Sequence, residues 1–207
     1  MTILLSDERV RAVPVLESGE PLVRLPRSLS PAGALVRAGL ADRLMAADIQ
    51  LPPGIRLRVV EGYRPVEEQR AIIASYAAQV RAHHPGVDDV ELARLTSRFV
   101  SPVDVAPHVA AAAVDLTLVD VCGEELDLGT PIDATPEQSD GRCYFSAAGI
   151  GADAHAHRDL LATVLTRQGL VNYPTEWWHW SFGDRYWALV TGARHALYGP
   201  VAAAVAA

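Results

Sequence analysis

The sequence predicts an α+β fold built around an antiparallel sheet. Three features carry that expectation. Short runs alternating every two residues, at 55–59 and 111–120, read as strands. Longer segments bracketed by Pro and Gly read as helices. The two kinds are mixed without the regular strand–helix alternation of a parallel sheet. With 207 residues, half of them hydrophobic and 21% charged, the chain can bury a sizeable core as one domain and is short for two. Residues 1–207 are therefore read as a single domain.

Residues 1–28 are interrupted by Pro14, Pro21 and Pro26 and read as an extended arm. From Ser30 to Pro52 and Pro53 the pattern is helical, with Ser30 as cap and Pro31 in the first turn. Ile55, Leu57 and Val59 alternate with Arg56 and Arg58, which makes a strand with one buried face. Pro65 opens a long helix that Pro85 and Gly86 stop, and a second helix covers about 88–99. Within 111–120, Val114, Leu116 and Leu118 share one face; Ala113, Asp115 and Thr117 share the other. A Gly-, Pro- and Asp-rich loop follows, from about 122 to 150. Residues 153–169 form a helix that ends at Gly169. The aromatic runs EWWHWSFG and RYWALVTG read as two strands, with Gly183-Asp184 as the hairpin between them. The Ala-rich end, 200–207, reads as a frayed tail.

A formal net charge of −7 argues against nucleic acid as the main partner, since phosphate binding needs a basic face. Cys122 and Cys143 are the only cysteines, too few for a disulfide scaffold or a thiolate metal site. The N-terminus has no basic start followed by a long apolar run, and no apolar stretch approaches the ~18 residues of a membrane span. A reducing cytoplasm fits these features.

Four polar residues sit where folding alone would not put them. Asp115 lies in an otherwise apolar strand, where a carboxylate is costly unless paired or bound to a metal. His108 lies seven residues upstream, in a loop beside Pro107. Glu176 and His179 lie among three tryptophans. Two imidazoles and one carboxylate suit a catalytic zinc and leave one position open for water, whose pKa zinc would lower to ~7. Glu176 is then the carboxylate that moves protons. Since three residues along an ideal strand reverse the face, Glu176 is expected in the bend before the strand that carries His179. Spacing alone leaves other readings open: packed histidines, an Asp paired with a buried Arg, and tryptophans that are simply core.

Taken together, EGYRP (61–65), PHVAAAAVDLTL (107–118) and EWWHW (176–180) resemble the D-alanyl-D-alanine dipeptidases, the VanX-like branch of the M15 zinc peptidases. The resemblance implies one Zn2+ per chain, with His108, Asp115 and His179 as ligands and Glu176 as catalytic base. It also implies Arg64 near the scissile carbonyl, a role that its permanent charge suits independently. Asp133 falls where the family has an acidic residue for the substrate's ammonium group, after one residue of gap. The chain departs from the family pattern around His108. Ala106 and Ala111 stand where Ser and Gly are usual, and Pro107 stands where Ser is frequent. These changes spare the metal ligands and remove hydroxyls and a permissive backbone position, so they bear on substrate choice.

The leading expectation is hydrolysis of a small dipeptide, D-Ala-D-Ala first among them. The alternatives are an M15-type zinc peptidase or amide hydrolase acting on a different small substrate, and a metal-stabilised binding protein on the same scaffold. Both Glu176 and Arg64, whose loss would mark the binding protein, are present.

Overall fold

In the computed structural model, which describes residues 2–201, the N-terminal region is more built than an extended arm. Asp7 caps α1 (Glu8–Ala12), and β1 (Leu22–Arg24) pairs antiparallel with β2 (Leu35–Arg37). The segment after Ser30 also departs from expectation. The Ser30 hydroxyl accepts the Ala34 N–H, Gly33 takes a left-handed φ of 70°, and the chain runs as β2 before α2 (Ala38–Asp48) begins. Helical patterning there loses to the ladder that β1 offers, which Leu25 N–H extends by donating to Ala34 C=O. The expected frayed tail lies outside the described residues from 202 onward.

The buried face of α2 is Leu40, Ala41, Leu44 and Ala47. Asp48 ends the helix and receives Arg56 side-chain donors and the Leu57 N–H, which sets where β3 (Arg56–Glu61) starts. Pro65 leads into α3 (Val66–His83), followed by α4 (Asp89–Thr96), a 3-10 turn at Val103–Val105 and β4 (Ala113–Val119). Every residue of β4 is buried. The loop after it contains one short helix, α5 (Pro136–Ser139), closed by a reciprocal cap between Thr135 and Gln138. Next come α6 (Ala152–Arg167), β5 (Val171–Asn172), β6 (His179–Ser181) and α7 (Arg185–Thr191). The main sheet has the order β3-β4-β6-β5, with every pair antiparallel.

α7 corrects the predicted hairpin. Gly183 does turn the chain, at φ 81°, but Asp184 then accepts the Tyr186 and Trp187 N–H groups as a helix N-cap. Gly192, left-handed at φ 73°, closes the helix. β6 finds its hairpin partner upstream, in β5. Among the described residues no helix is long and apolar enough to cross a membrane. Both cysteines are free, Cys122 exposed and Cys143 buried.

The core lies on the Val114–Leu116–Leu118 face of β4, against α2, α6 and the three tryptophans 177, 178 and 180. One buried cation organises its edge. Arg158 of α6, 1% exposed, donates to the carbonyls of Leu128, Arg142, Tyr144 and Phe145 at 2.6–3.1 Å. It thereby closes the ends of the long loop onto the core, and burial pulls its pKa down to about 10. Arg158→Met leaves several buried carbonyls without donors, at ~1–3 kcal/mol each. Urea denaturation is expected to show a loss of ~3 kcal/mol or more. Arg158→Lys should recover only part of it, because an ammonium cannot fork to four acceptors.

Candidate metal centre and substrate cavity

The site is built on one rung of the sheet. Glu61, Asp115 and His179 are register partners across β3, β4 and β6. Strict alternation would put Glu61 on the core face with Val59. A bulge between Val59 and Glu61 adds a residue and turns Glu61 onto the Asp115 face. Immediately after it, Gly62 passes so close to β2 that an added Cβ would lie 2.5 Å from Leu35 C=O. The Gly62 carbonyl is thereby presented to His108, whose Nδ1 lies 2.7 Å away. With Nδ1 so engaged, the His108 Nε2 faces the sheet. The His108 turn is closed by Ala111 at φ 54°, a left-handed position that costs an alanine ~1–2 kcal/mol. That is the position where the resembling family has Gly.

His108 Nε2, His179 Nδ1 and Asp115 Oδ1 converge. They are separated by 3.0, 3.1 and 3.4 Å, all within a buried cluster that can hold a metal ion. The donor set fits zinc: a tetrahedron with ligands about 2.0–2.1 Å from the ion has edges of about 3.3 Å. Without a cation the same atoms share protons. Burial opposes charge on Asp115, but His108 and His179 hold its carboxyl well below the usual range. Burial also disfavours the His108 imidazolium, and Asp115 outweighs it, so His108 titrates above its ordinary value. Burial pulls His179 the other way, below it.

Glu176 lies in the turn between β5 and β6, with its Oε2 3.7 Å from His179 Nδ1. Asn172 shapes that turn by donating its amide to the Glu176 and His179 carbonyls. Burial, with Asp115 and Asp133 nearby, pushes the Glu176 carboxyl well above the usual range. Arg64 is buried and fully directed. Its Nε and Nη2 donate to Glu61 at 2.7 and 2.5 Å, and its Nη1 donates to Gln69 Oε1 at 2.8 Å. Gln69 is anchored in turn on Ser101 C=O. Arg64 is thus both an ion-pair partner at the strand end and a wall of the site.

These groups line one cavity of about 550 Å³, into which Asp133 also faces. Asp133 sits at an exposed position on the rim, in the left-handed conformation at φ 62°. All six residues singled out in the sequence, His108, Asp115, His179, Glu176, Arg64 and Asp133, therefore border the same space. His83, His84, His155, His157 and His195 lie elsewhere. Glu61, Gln69 and Tyr173 were not foreseen. Glu61 stands inside EGYRP and could have been noticed as a partner three residues before Arg64. Tyr173 packs its ring on His179, with centroids 6.0 Å apart, and its hydroxyl joins Ser97 C=O to Leu5 N–H. No local pattern announces it.

The model of the Peptidase_M15 family, D-ala-D-ala dipeptidase, matches residues 30–195. The chain belongs to this peptidase family. It is accordingly an enzyme that hydrolyses peptide bonds. A D-alanyl-D-alanine dipeptidase of Synechocystis sp. is 27% identical over 92% of this chain and 95% of its own. One from Enterococcus faecium is 28% identical over 70% of this chain and 71% of its own. A solved structure of VanYB in complex with D-alanine-D-alanine shares the fold, with a TM-score of 0.50 and 17% identity over 90% of this chain and 94% of that one.

The cavity's charge has a consequence for stability. Partial burial and the nearby carboxylates of Asp115 and Glu61 push Asp133 up to about 6. A carboxyl whose folded pKa is raised favours the folded state while protonated, fully below about pH 4, and that contribution is lost as pH rises through about 6. For the metal-free protein, thermal unfolding of wild type and Asp133→Asn should diverge across pH 4–6, the variant gaining relative stability, and run parallel above it. Parallel curves throughout would place the Asp133 carboxyl outside the influence of the acidic cavity.

Proposed function

We propose that this M15 peptidase is a zinc-dependent dipeptidase of small D,D-dipeptides, with D-Ala-D-Ala as the first substrate to try. One observation carries the reading. Two imidazole nitrogens and a carboxylate oxygen meet at zinc-like spacing on the floor of a cavity that also holds a protonatable Glu176 and a fixed Arg64. The names of the Synechocystis and Enterococcus relatives support the substrate class.

In this reading His108, Asp115 and His179 hold the ion, which supplies Lewis-acid chemistry by polarising a carbonyl and lowering the pKa of water. Glu176 accepts the proton of the attacking water at its carboxylate and returns it to the leaving nitrogen. A buried carboxyl beside the metal site, held above its usual range by burial and by Asp115 and Asp133, suits both steps. Arg64, oriented by Glu61 and Gln69, offers its remaining N–H groups to the oxygen that gains charge. Asp133, at the rim, pairs with the substrate's free ammonium. That pairing would exclude longer chains, because an ammonium left unpaired inside an acidic, partly dry cavity is costly.

A second reading keeps the chemistry and changes the substrate to another small amide. It is favoured by the buried Ala106 and Pro107, which bring no hydroxyl to the His108 turn.

Metal analysis should find one zinc per chain in the wild type and little in His179→Ala. Glu176→Gln should keep its zinc and lose turnover by ~10²-fold or more. A panel of dipeptides in all four stereochemical combinations should show a D,D preference. Cleavage of N-acetylated dipeptides or tripeptides as readily as free dipeptides would hand the case to the amide hydrolase. Equal zinc in wild type and His179→Ala would remove the ligand assignment.

A further inference from the structure

The loop between β4 and α6 meets the cavity at Asp133 and forms a strap that is tied down on two sides. On one side the Trp177 indole donates to Thr130 Oγ1, the Trp177 N–H donates to Cys143 C=O, and the Phe145 N–H donates to Pro174 C=O. These bonds fasten it to the β5–β6 turn that carries Glu176. On the other side α5 reaches the α3–α4 wall. Glu137 of α5 accepts the Tyr76 hydroxyl at 2.7 Å through one carboxylate oxygen, and the Arg98 guanidinium through the other. Arg98 and Glu137 are only 20% and 15% exposed. Tyr76 is 2% exposed, and its ring packs on Phe99 with centroids 4.8 Å apart. Phe99 itself lines the cavity.

Asp133 stands four residues before Glu137 on the same strap. Only Ala134 and the cap Thr135 separate it from α5. Its backbone is left-handed, a conformation that aspartate tolerates better than most residues and that sets the direction in which the chain runs on to α5. On the α5 side the nearest side-chain hydrogen bonds to another element are those on Glu137, which reach α3 and the end of α4 rather than the metal centre.

We propose that Glu137 is a positioning residue for specificity: clamped between Arg98 and Tyr76, it holds the Asp133 carboxylate at the cavity rim and so sets the enzyme's demand for a free substrate amine. The inference rests on the reading of Asp133 as the ammonium anchor. Glu137 does not line the cavity, and its side chain bonds Tyr76 and Arg98 rather than a metal ligand. Its loss is therefore expected to act on substrate binding rather than on the chemical step.

The test measures kcat and KM of the zinc-loaded full chain for a free D,D-dipeptide and its N-acetyl derivative. The proteins are wild type, Asp133→Ala, Glu137→Gln and the double variant. Glu137→Gln keeps an acceptor for Tyr76 and removes the ion pair with Arg98. It should cut the preference for the free amine by about tenfold, through KM, with kcat for the free dipeptide and zinc content little changed. In the double variant it should add nothing to the loss caused by Asp133→Ala, because the two substitutions break one device. If Glu137→Gln does not fold, Tyr76→Phe loosens the same grip and should lower the preference in the same direction. An unchanged preference, or losses that multiply in the double variant, overturns the proposal while leaving Asp133 as the anchor. An Asp133→Ala variant that keeps full preference removes the anchor reading itself, and this proposal with it.

Discussion

A carboxylate buried in the middle of β4 is the constraint on which the rest of the site depends. Both faces of that strand are covered and Asp115 is buried, so it must find its charge partners within the protein. The partners come from two directions. His179 arrives as its register neighbour on β6, and His108 comes from the turn that leads into β4. One protonated imidazole would neutralise the carboxylate but leave the lone pair of the other imidazole without a partner. Three lone pairs aimed at one point are a liability without a proton or a cation to share, and a divalent ion resolves them more completely than a proton can.

Much of the surrounding architecture serves to hold those three groups in place. The bulge on β3 brings Glu61 onto the Asp115 face, and Glu61 in turn directs Arg64. Gly62 permits the close backbone approach that puts a carbonyl on His108 Nδ1 and leaves Nε2 free for the centre. Arg64 N–H donates to His108 C=O, which ties the same segment to the turn a second time. The strained Ala111 is the local cost of this geometry. An alanine tolerates φ 54° there because Arg37 N–H bonds its carbonyl and the Arg37 side chain bonds the carbonyl of Ala110.

How much of this was legible in the sequence follows from which forces are local. The face assignment of β4 and the misfit of Asp115 within it come from a period of two, so they could be read directly. The place of Glu176 in a bend followed from the same periodicity, because three residues cannot share a strand face with His179. The fate of RYWALVT could not be read so easily, because Gly-Asp is both a hairpin turn and a helix entry. Asp184 chose the second by capping two N–H groups. β1 and β2 were hidden because each is only three residues long and depends on the other. The bulge that exposes Glu61 is invisible to an alternation argument, which would have buried that side chain in the core. Asp133 lies in a loop without periodicity, and only the family resemblance pointed to it.

The charges of the cavity, taken in order, indicate what it is shaped to receive. Glu61 is paired with Arg64, and the pair forms a neutral part of the cavity wall. Asp115 is matched by the two imidazoles or by an ion held with them. Glu176, raised by burial and by its acidic neighbours, holds its proton more readily than an ordinary glutamate does. What is left is Asp133 at the rim, acidic, half-turned to solvent and without an arginine or lysine hydrogen-bonded or ion-paired to it among the described residues. In the proposed dipeptidase, a substrate entering past it with a positive end would satisfy that carboxylate, whereas a neutral or acylated end would leave it unpaired beside other negative charge. In the proposed reading the acidic rim therefore selects by penalty as well as by attraction, which is the more effective way for a small cavity to reject compounds that differ only at their amine.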